Sequence, residues 1–305
     1  MLQKTEFIKL VVKAGQKALM GNMDALNYLT FKREIYLDSI KNFEVGYLSR
    51  NIIEKFIADN SLNDEAVEYG LVNKFSGLGF FDNHVVFPIK NGEEYVSLYG
   101  RYVGNSDSNH ANLPGLRKNI FFNQDVINDK PALIVTESII DAVTLHQNGF
   151  MAVSGLGACL TSDQIELLRD KIVYILFDLD SAGIEATREL CKKLWGVAKK
   201  IYPLKFPCYT TIKLDANSYF CKYSTAKGAL QTLIKNSQEF KGAKFGLKGK
   251  QKKIKSNGKE YNIVEIGKKL IPNRIERGHG FWCKCPLHKA GNERTHSMFV
   301  GGLNA

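Results

Sequence analysis

Three acidic side chains follow two stretches of the sequence that read as buried strands. Glu137 comes directly after the apolar run 132–136, and Asp178 and Asp180 come directly after the run 172–177. The carboxyl ends of neighbouring parallel strands form a crevice, so these carboxylates are expected to converge there. Like charges at close range are costly unless a cation neutralises them, and Mg²⁺ takes carboxylate oxygens together with water and phosphate. The spacing therefore predicts a magnesium site suited to phosphoryl or nucleotidyl transfer.

A plainer interpretation competes with this one, because acids at strand ends often cap helices or are solvated in loops. Asp178 and Asp180 lie two residues apart and point to the same side if the chain stays extended. Gly183 follows directly before a predicted helix, where a glycine lets the backbone approach a ligand closely. The spacing alone leaves both the cation site and the capping role open.

The elements that must position these acids alternate between strand and helix from Pro131 onward. This alternation is typical of a parallel sheet with crossover helices. Strands are predicted at Ala132–Thr136, Met151–Val153, Ile172–Phe177 and near Lys199–Pro203. Helices are predicted at Ile139–Asn148, Thr161–Arg169, Glu185–Trp195 and around 216–237.

The first part of the sequence has a different pattern. Its opening residues carry apolar positions at helical spacing, and 51–69 reads as two helices with a break near Asn60. Two β-type runs, His84–Ile89 and Glu94–Tyr99, are joined through Asn91-Gly92, which is a strong hairpin signal. We therefore expect a helical lead-in followed by an antiparallel hairpin.

Three motifs around the acids resemble a known family. They are Glu137-Ser-Ile-Ile-Asp141, Gly155-Leu-Gly157 and Asp178-Leu-Asp180-Ser-Ala-Gly183. In this order they are similar to the successive signatures of the TOPRIM domain of bacterial-type DNA primases. The resemblance implies that Glu137 is the general acid or base or a ligand of a second metal ion, and that Asp178 and Asp180 hold Mg²⁺, or Mn²⁺ in its place.

A later acidic motif of the same family matches Lys213-Leu-Asp215-Ala-Asn217. The resemblance makes Asp215 a further candidate ligand and Lys213 a candidate contact for substrate or DNA. Two positions depart from the pattern. Asn217 stands where the family usually has a second acid, and Ser138 stands where a glycine normally follows the glutamate.

The resemblance extends upstream to the part of the primase core that precedes its TOPRIM half. The motifs that carry it are Glu68-Tyr-Gly70-Leu71, Phe87-Pro-Ile89, Tyr99-Gly100-Arg101-Tyr-Val-Gly104 and His110-Ala-Asn112-Leu-Pro-Gly115. Arg101 matches a basic residue that faces template and nucleotide phosphates, a role that suits a guanidinium. His84 stands where the family has an arginine, and the usual lysine near Asn109 is missing.

The net charge of +11 is unevenly distributed. The stretch from Lys241 to Lys259 holds eight lysines and no acid, and the rest of the chain carries only +3. Such a stretch fits either a solvated linker or a surface for a polyanion, and single-stranded DNA is favoured over a membrane because no apolar face accompanies the lysines. Lys252 and Lys253 are its candidate DNA contacts.

Six cysteines are present, all after residue 158, which argues against a disulfide framework across the molecule. Cys283, Cys285 and His288 are zinc-type ligands and resemble the first half of the primase zinc-binding module. In the family that module precedes the core and is completed by a second cysteine pair, and no cysteine follows Cys285 here. An intact Zn²⁺ site, an incomplete module and completion by another chain all stay open.

These observations predict a mixed α+β and α/β protein. The resemblance implies a primase N-terminal catalytic subdomain followed by a TOPRIM domain, with a parallel sheet and flanking helices, and by a small, partial zinc-ribbon-like tail. The predicted divisions are a helical lead-in at 1–38, the N-terminal subdomain at 39–130, TOPRIM at 131–215, a helix and lysine-rich linker at 216–260, and the tail at 261–305.

The function expected from the resemblance is Mg²⁺-dependent synthesis of short RNA primers from ribonucleoside triphosphates on single-stranded DNA. TOPRIM nuclease or topoisomerase cleavage and a weakly active DNA-binding remnant are the alternatives. No G-x-x-x-x-G-K-[ST] phosphate loop occurs, so unwinding is expected to need a replicative helicase as partner. The sequence shows no apolar run of about 18 residues and no secretory signal, so a cytoplasmic location without membrane contact is expected.

Overall fold

The computed structural model describes residues 2–104, 110–115, 119–206 and 214–242, together with the backbone of five strands beyond residue 252. The chain divides into two compact units, Met1–Gly242 and Ala243–Ala305. The finer domain boundaries expected from the sequence stay predictions. Within the described residues, no helix is long and apolar enough to cross a membrane.

The first unit opens with helices around an antiparallel sheet. The helices are α1 (Lys4–Met20), α2 (Met23–Asn27), α3 (Leu37–Asn42), α4 (Arg50–Asn60) and α5 (Asn63–Glu68), with a π-helical turn at Tyr28–Lys32. The strands are β1 (Gly46–Leu48), β2 (His84–Asn91), β3 (Glu94–Tyr102) and β4 (His110–Asn112), paired in the order 1-2-3-4. The predicted hairpin is confirmed, since Asn91 pairs with Glu94 and Gly92 has φ +57°.

The predicted parallel sheet is also confirmed. It consists of β5 (Ala132–Thr136), β6 (Ala152–Ser154), β7 (Ile172–Ile175) and β8 (Lys200–Pro203), in the order β6-β5-β7-β8 with every pair parallel. The helices around it are α6 (Asp125–Asp129), α7 (Ile139–Gln147), α8 (Ser162–Leu167), α9 (Ser181–Leu194), α10 (Ala216–Lys222) and α11 (Ala226–Lys235).

Three expected boundaries were wrong. Strand β7 ends at Ile175, two residues before the predicted end, and α9 begins at Ser181 because Asp180 caps it. The single helix expected around 216–237 is two helices, since Tyr223 leaves the helical region with φ −125° and ψ 112°. The first two corrections bear on the site, because they place both aspartates in the loop between strand and helix.

Each face of the parallel sheet is buried, as its near-continuous apolar strands require. On one face, Val135 and Val173 pack in a cluster with Leu190 of α9. On the other face, Ile134 belongs to a cluster that also contains Tyr99 of the antiparallel sheet. The two sheets therefore share one apolar core, which fixes the position of β3 relative to β5.

The second unit contains two antiparallel arrangements. Strands β9 (Lys253–Ser256) and β10 (Lys259–Asn262) form a hairpin. Strands β11 (Arg274–Arg277), β12 (Gly280–Cys283) and β13 (Met298–Gly301) form a three-stranded sheet in that order.

Candidate active site

Charged side chains from both halves of the first unit line one cavity of about 520 Å³. The parallel-sheet half contributes carboxylates from the loops and helix starts that follow β5 and β7, and from the start of α10. The antiparallel sheet and the π-helical turn contribute guanidinium groups. The charged residues of the lining are Glu137, Asp141, Asp178, Asp215, Arg33 and Arg101.

Glu137 is held by its own backbone as well as by its side chain. Its carbonyl oxygen accepts hydrogen bonds from the Ser154 hydroxyl at 2.9 Å and from the Gly157 N–H at 3.0 Å. Its carboxylate oxygen Oε1 lies 3.4 Å from the backbone nitrogen of Asp178. The sequence prediction that these two acids meet at the edge of the sheet is therefore supported by direct contact between their residues.

Gly183 makes this contact geometrically feasible. A Cβ atom added at this position would lie 2.3 Å from the carbonyl oxygen of Asp178 and 3.0 Å from Oε1 of Glu137. Real side chains do not tolerate the first distance, so the turn accepts only a glycine without rearrangement. The close backbone approach expected from the sequence is therefore made to Asp178 and Glu137.

Asp180 takes the helix-capping role that the sequence left open. It is the N-cap of α9, where its Oδ1 accepts a hydrogen bond from the Gly183 N–H at 2.8 Å. Among the described residues that line the cavity, Asp178 is present and Asp180 is not. Strand β7 ends at Ile175, so both acids follow the strand in the loop before α9, and their common orientation stays a prediction.

Asp215 both caps a helix and lines the cavity in which a cation is expected. It caps α10 by accepting a hydrogen bond from the Ser218 N–H at 2.6 Å, and it also lines the cavity. An anionic cap at a helix N-terminus is stabilised by the helix dipole. The neighbouring candidate Lys213 lies outside the described residues.

Asp141 is a site residue that sequence reasoning quoted in a motif without giving it a role. It is buried, and its carboxylate accepts hydrogen bonds from the Ser138 hydroxyl at 2.6 Å and the Asn217 N–H at 2.8 Å. Burial, and after it the negative charge of Asp215, raises the pKa of Asp141 to about 7. Ser138, which departs from the family pattern, caps α7 and supplies one of these bonds.

The raised pKa of Asp141 predicts a pH-dependent cost to stability. A carboxyl whose pKa is higher in the folded state stabilises the fold below its unfolded pKa, and that contribution is lost as the pH rises through the folded value. We expect the melting temperature of wild type to fall relative to that of Asp141→Asn between about pH 4 and about pH 8. Thermal melts without divalent cations measure this difference. Parallel profiles for the two proteins would contradict it, and Asp163→Asn, at an exposed position in the first turn of α8, is the control.

Arg101 is held by a short chain of hydrogen bonds across β3 and β4. Its Nη1 lies 2.6 Å from Nε2 of His110, and Nδ1 of His110 bonds to the hydroxyl of Tyr99. A guanidinium only donates, so Nε2 must accept and Nδ1 must carry the proton. Burial raises the pKa of Tyr99 to about 12, so the phenol stays protonated at neutral pH. The neutral imidazole thus holds Arg101 in the cavity wall.

Sequence reasoning missed Arg33 and named Asn217 only as a departure from the family pattern, because the contact between them joins residues 184 positions apart. Arg33 donates from Nη1 to Oδ1 of Asn217 at 3.3 Å and from Nε to the hydroxyl of Tyr28 at 3.1 Å. The Asn217 amide donates in turn to the Arg33 carbonyl oxygen at 2.7 Å and to the Thr144 hydroxyl at 2.9 Å. Asn217 is buried, and its side-chain bonds link its own helix, α10, to the lead-in at Arg33 and to α7 at Thr144.

His84, which replaces a family arginine, belongs to an aromatic cluster. Its ring packs edge-to-face on Phe81 and Tyr102, and its Nδ1 lies 2.7 Å from the carbonyl oxygen of Asp82. Burial lowers the pKa of His84, which favours the neutral ring. His84 is not among the described residues that line the cavity.

The remaining candidates cannot be placed in a site. Lys252, Cys285 and His288 lie outside the described residues. Lys253 and Cys283 belong to β9 and β12, of which only the backbone is described. Throughout the described ranges, the cavity included, no group of three or more His, Cys, Asp or Glu side chains is already arranged to hold a metal ion.

Comparisons with known proteins agree with this architecture. The family described as "DNA primase catalytic core, N-terminal domain" matches residues 15–123, and the family described as "Toprim-like" matches residues 134–220. A DNA primase from Rickettsia prowazekii is 28% identical over 265 residues, which cover 78% of this chain and 44% of that protein. The chain thus spans less than half the length of this relative.

Solved structures of primases also align with this chain. The Aquifex aeolicus primase, with its zinc-binding and RNA polymerase domains, aligns with a TM-score of 0.66 at 26% identity, over 78% of this chain and 63% of that one. The DnaG primase catalytic domain bound to single-stranded DNA aligns with a TM-score of 0.64 at 22% identity, over 77% of this chain and 81% of that one. The two family matches, in this order on this fold, identify the chain as containing a bacterial-type DNA primase catalytic core with a TOPRIM domain.

Proposed function

We propose that this chain synthesises short RNA primers on a single-stranded DNA template. The observation that carries the proposal is that one cavity is lined both by carboxylates that follow two parallel strands and by an arginine of the antiparallel sheet. Nucleotidyl transfer needs oxygen ligands for a divalent cation and a positive group for phosphate oxygens in one place. The relatives named DNA primase support the same reaction, and one structural relative is a complex with single-stranded DNA.

The residues at the cavity fit a divalent cation. Asp178 and Asp215 present carboxylate oxygens, the ligand type of Mg²⁺ and Mn²⁺, and Asp180 follows two residues after Asp178. Mg²⁺ is commonly held by one or two carboxylates with substrate phosphates and water, so a preformed cage of three acids is not required. A cation bound there would supply positive charge against the triphosphate. We assign its binding to Asp178 and Asp215, with Asp180 as a further ligand.

The other residues act on protons and phosphates. In the proposed reaction the 3′-hydroxyl oxygen of the growing RNA bonds to the α-phosphorus of the incoming nucleotide, and pyrophosphate leaves. Glu137 accepts the hydroxyl proton, and its hydrogen bond to the Asp178 backbone keeps its carboxylate oriented. Arg101 donates to phosphate oxygens through the guanidinium N–H groups that its contact with His110 leaves available.

The lysine-rich stretch from Lys241 to Lys259 is proposed to hold the template through its phosphates. Lys252 and Lys253 are its candidate contacts, and Lys213 is a candidate nearer the acids in the sequence. Binding of this kind does not depend on base sequence and weakens steeply as salt rises. A replicative helicase is the proposed protein partner, and Cys283, Cys285 and His288 are proposed ligands of Zn²⁺.

The direct test is RNA synthesis on single-stranded DNA with labelled ribonucleotides and Mg²⁺. We expect short products that require template, divalent cation and all four ribonucleotides. Cleavage of the DNA instead of RNA synthesis would favour the nuclease alternative. Template binding without any product, for a protein whose melting curve shows that it is folded, would favour the weakly active remnant.

A further inference from the structure

We propose that Leu156 packs against the ribose that carries the 3′-hydroxyl of the growing primer. This inference rests on the proposed function and adds to it a residue to which the motifs assign no role. Leu156 lines the same cavity as Glu137 and Asp178, and its backbone has φ +59°. An apolar side chain is therefore held in an unfavourable backbone conformation beside the proposed catalytic acids.

The backbone of Leu156 lies in the left-handed region, which is unfavourable for most residues. Glycine adopts this region freely, and asparagine or aspartate tolerates it because a short polar side chain bonds locally. Six other non-glycine residues in the described ranges have a positive φ, and all six are polar. Outliers of this kind persist where the surrounding structure holds them, and they cluster at functional sites. The conformation of Leu156 therefore calls for a role of its side chain.

Hydrogen bonds tie the turn around Leu156 to the end of β5. The Leu156 N–H donates to the Ser154 hydroxyl at 3.2 Å, and that hydroxyl donates to the Glu137 carbonyl oxygen at 2.9 Å. The Gly157 N–H donates to the same carbonyl oxygen at 3.0 Å. These bonds fix Leu156 relative to Glu137, the residue proposed to accept the proton of the 3′-hydroxyl.

The side chain of Leu156 contacts the core and also lines the cavity. It is half-buried, and it packs against the apolar cluster that contains Ile134. Ile139 and Ile140 also line the cavity, but both are buried. Among the described lining residues, Leu156 is therefore the aliphatic side chain with the most surface open to a ligand.

The chemistry of a nucleotide assigns Leu156 to a sugar rather than to a phosphate. Phosphates are charged, and they are proposed to bind the cation and Arg101. A ribose presents C–H groups around its 3′-carbon, and packing them against an aliphatic side chain removes apolar surface from water. Because Glu137 is proposed to take the proton of the 3′-hydroxyl, the ribose nearest to this turn is the one at the end of the primer.

Binding and extension of a preformed hybrid test this inference. A labelled RNA primer annealed to a longer DNA strand is titrated with wild type, Leu156→Asn, Leu156→Met or Asp170→Asn, and each protein is separately titrated with single-stranded DNA. Loss of one apolar contact is expected to weaken hybrid binding by Leu156→Asn about tenfold and to raise the KM for the hybrid by a similar factor. The KM for ribonucleotides and the affinity for single-stranded DNA should not change.

Two further variants serve as controls. Leu156→Met keeps an apolar side chain of similar volume and should bind the hybrid as wild type does. Asp170 also has φ +59°, but it is exposed and is not among the described residues that line the cavity. Asp170→Asn should therefore change neither binding nor extension.

A purely structural role of Leu156 would give a different result. If Leu156 only orients Glu137 through the backbone, Leu156→Asn should lower kcat and leave the KM for the hybrid unchanged, and this split would overturn the inference. Wild-type hybrid binding by a folded Leu156→Asn protein would overturn it as well. If Leu156→Asn does not fold, Leu156→Gly decides, because glycine adopts this φ freely. Weaker hybrid binding by that variant supports the inference, and unchanged binding refutes it.

The hybrid titration contains no ribonucleotide and requires no synthesis, so failure of this inference can be distinguished from failure of the proposed function. A wild-type protein that binds the hybrid through Leu156 but makes no RNA would refute the proposed function alone. A protein that makes primers and keeps the same KM for the hybrid after Leu156→Asn would refute the inference alone.

Discussion

Replacement of Asp178 by asparagine is expected to reduce primer synthesis by at least about a hundredfold, because a cation ligand contributes several kcal/mol to the stabilisation of transition-state charge. The substitution keeps the size of the side chain and removes only its charge. The hydrogen bond between Glu137 and residue 178 uses the backbone nitrogen and is not altered by the change. The loss is therefore attributable to the carboxylate.

A Mg²⁺ titration of the initial rate checks this prediction. The variant should need more Mg²⁺ for half-maximal activity and should bind single-stranded DNA as wild type does. Asp180→Asn is a companion variant, since asparagine caps helices as well as aspartate and preserves α9. A shift in Mg²⁺ dependence for this variant would make Asp180 a ligand, and an unchanged profile would leave it as a cap only.

Two outcomes would contradict or confound the prediction for Asp178→Asn. If Asp178→Asn kept wild-type rates across the Mg²⁺ titration, the assignment of the cation to this edge of the sheet would be wrong. Loss of DNA binding together with synthesis would indicate a damaged fold, which a melting curve reveals. Asp163→Asn controls for removal of an exposed acid that does not line the cavity.

Substitution of Gly183 by alanine is the second change with a large expected effect. The added methyl group would meet the Asp178 carbonyl oxygen at 2.3 Å, so the loop that carries Asp178 or the first turn of α9 must move. A displacement of about 1 Å in a catalytic group lowers rates about a hundredfold. We expect a loss of that order in primer synthesis, with a fold that is destabilised by about 1–3 kcal/mol.

The helix α11 offers a matched control for this glycine. Gly228 lies on its exposed face, and a Cβ atom there has no neighbour within 4 Å. Gly228→Ala is expected to raise the free energy of unfolding by about 0.5–1 kcal/mol, because alanine loses less backbone entropy in a helix. Its activity should equal that of wild type.

Denaturant unfolding and initial rates, measured on both glycine variants, complete the comparison. The two alanines should change stability in opposite directions, and only the one at residue 183 should affect synthesis. Wild-type activity in Gly183→Ala would show that the loop can rearrange without displacing Asp178. The close packing at Gly183 would then have no part in positioning the acids.

Much of the site could be predicted from local sequence. The apolar runs before Glu137 and Asp178 are long enough to define parallel strands, and a parallel sheet brings their carboxyl ends to one edge. Gly183 could be singled out because a glycine next to acids permits close backbone approach, although it lies in the first turn of α9 and not before the helix. These inferences need only short stretches of chain. Both predicted strands, β5 and β7, are present in the structure.

The rest depends on contacts that no short stretch contains. The bond between Arg33 and Asn217 joins residues 184 positions apart, and neither residue is part of a periodic pattern that marks it. Asp141 reads as an ordinary acid in the first turn of a helix, and its pKa is raised by burial and by the negative charge of Asp215, neither of which the local sequence shows. The end of β7 was misjudged because Leu176 and Phe177 are apolar and buried, although they lie in the loop.

The apolar cluster that contains both Ile134 and Tyr99 has a consequence for how the chain can be divided. Two separate family descriptions match residues 15–123 and 134–220. Physically, a cut between them would expose on each half an apolar surface that only the other half covers. The two regions that the families describe therefore form one unit of folding here, and neither half is expected to fold stably without the other.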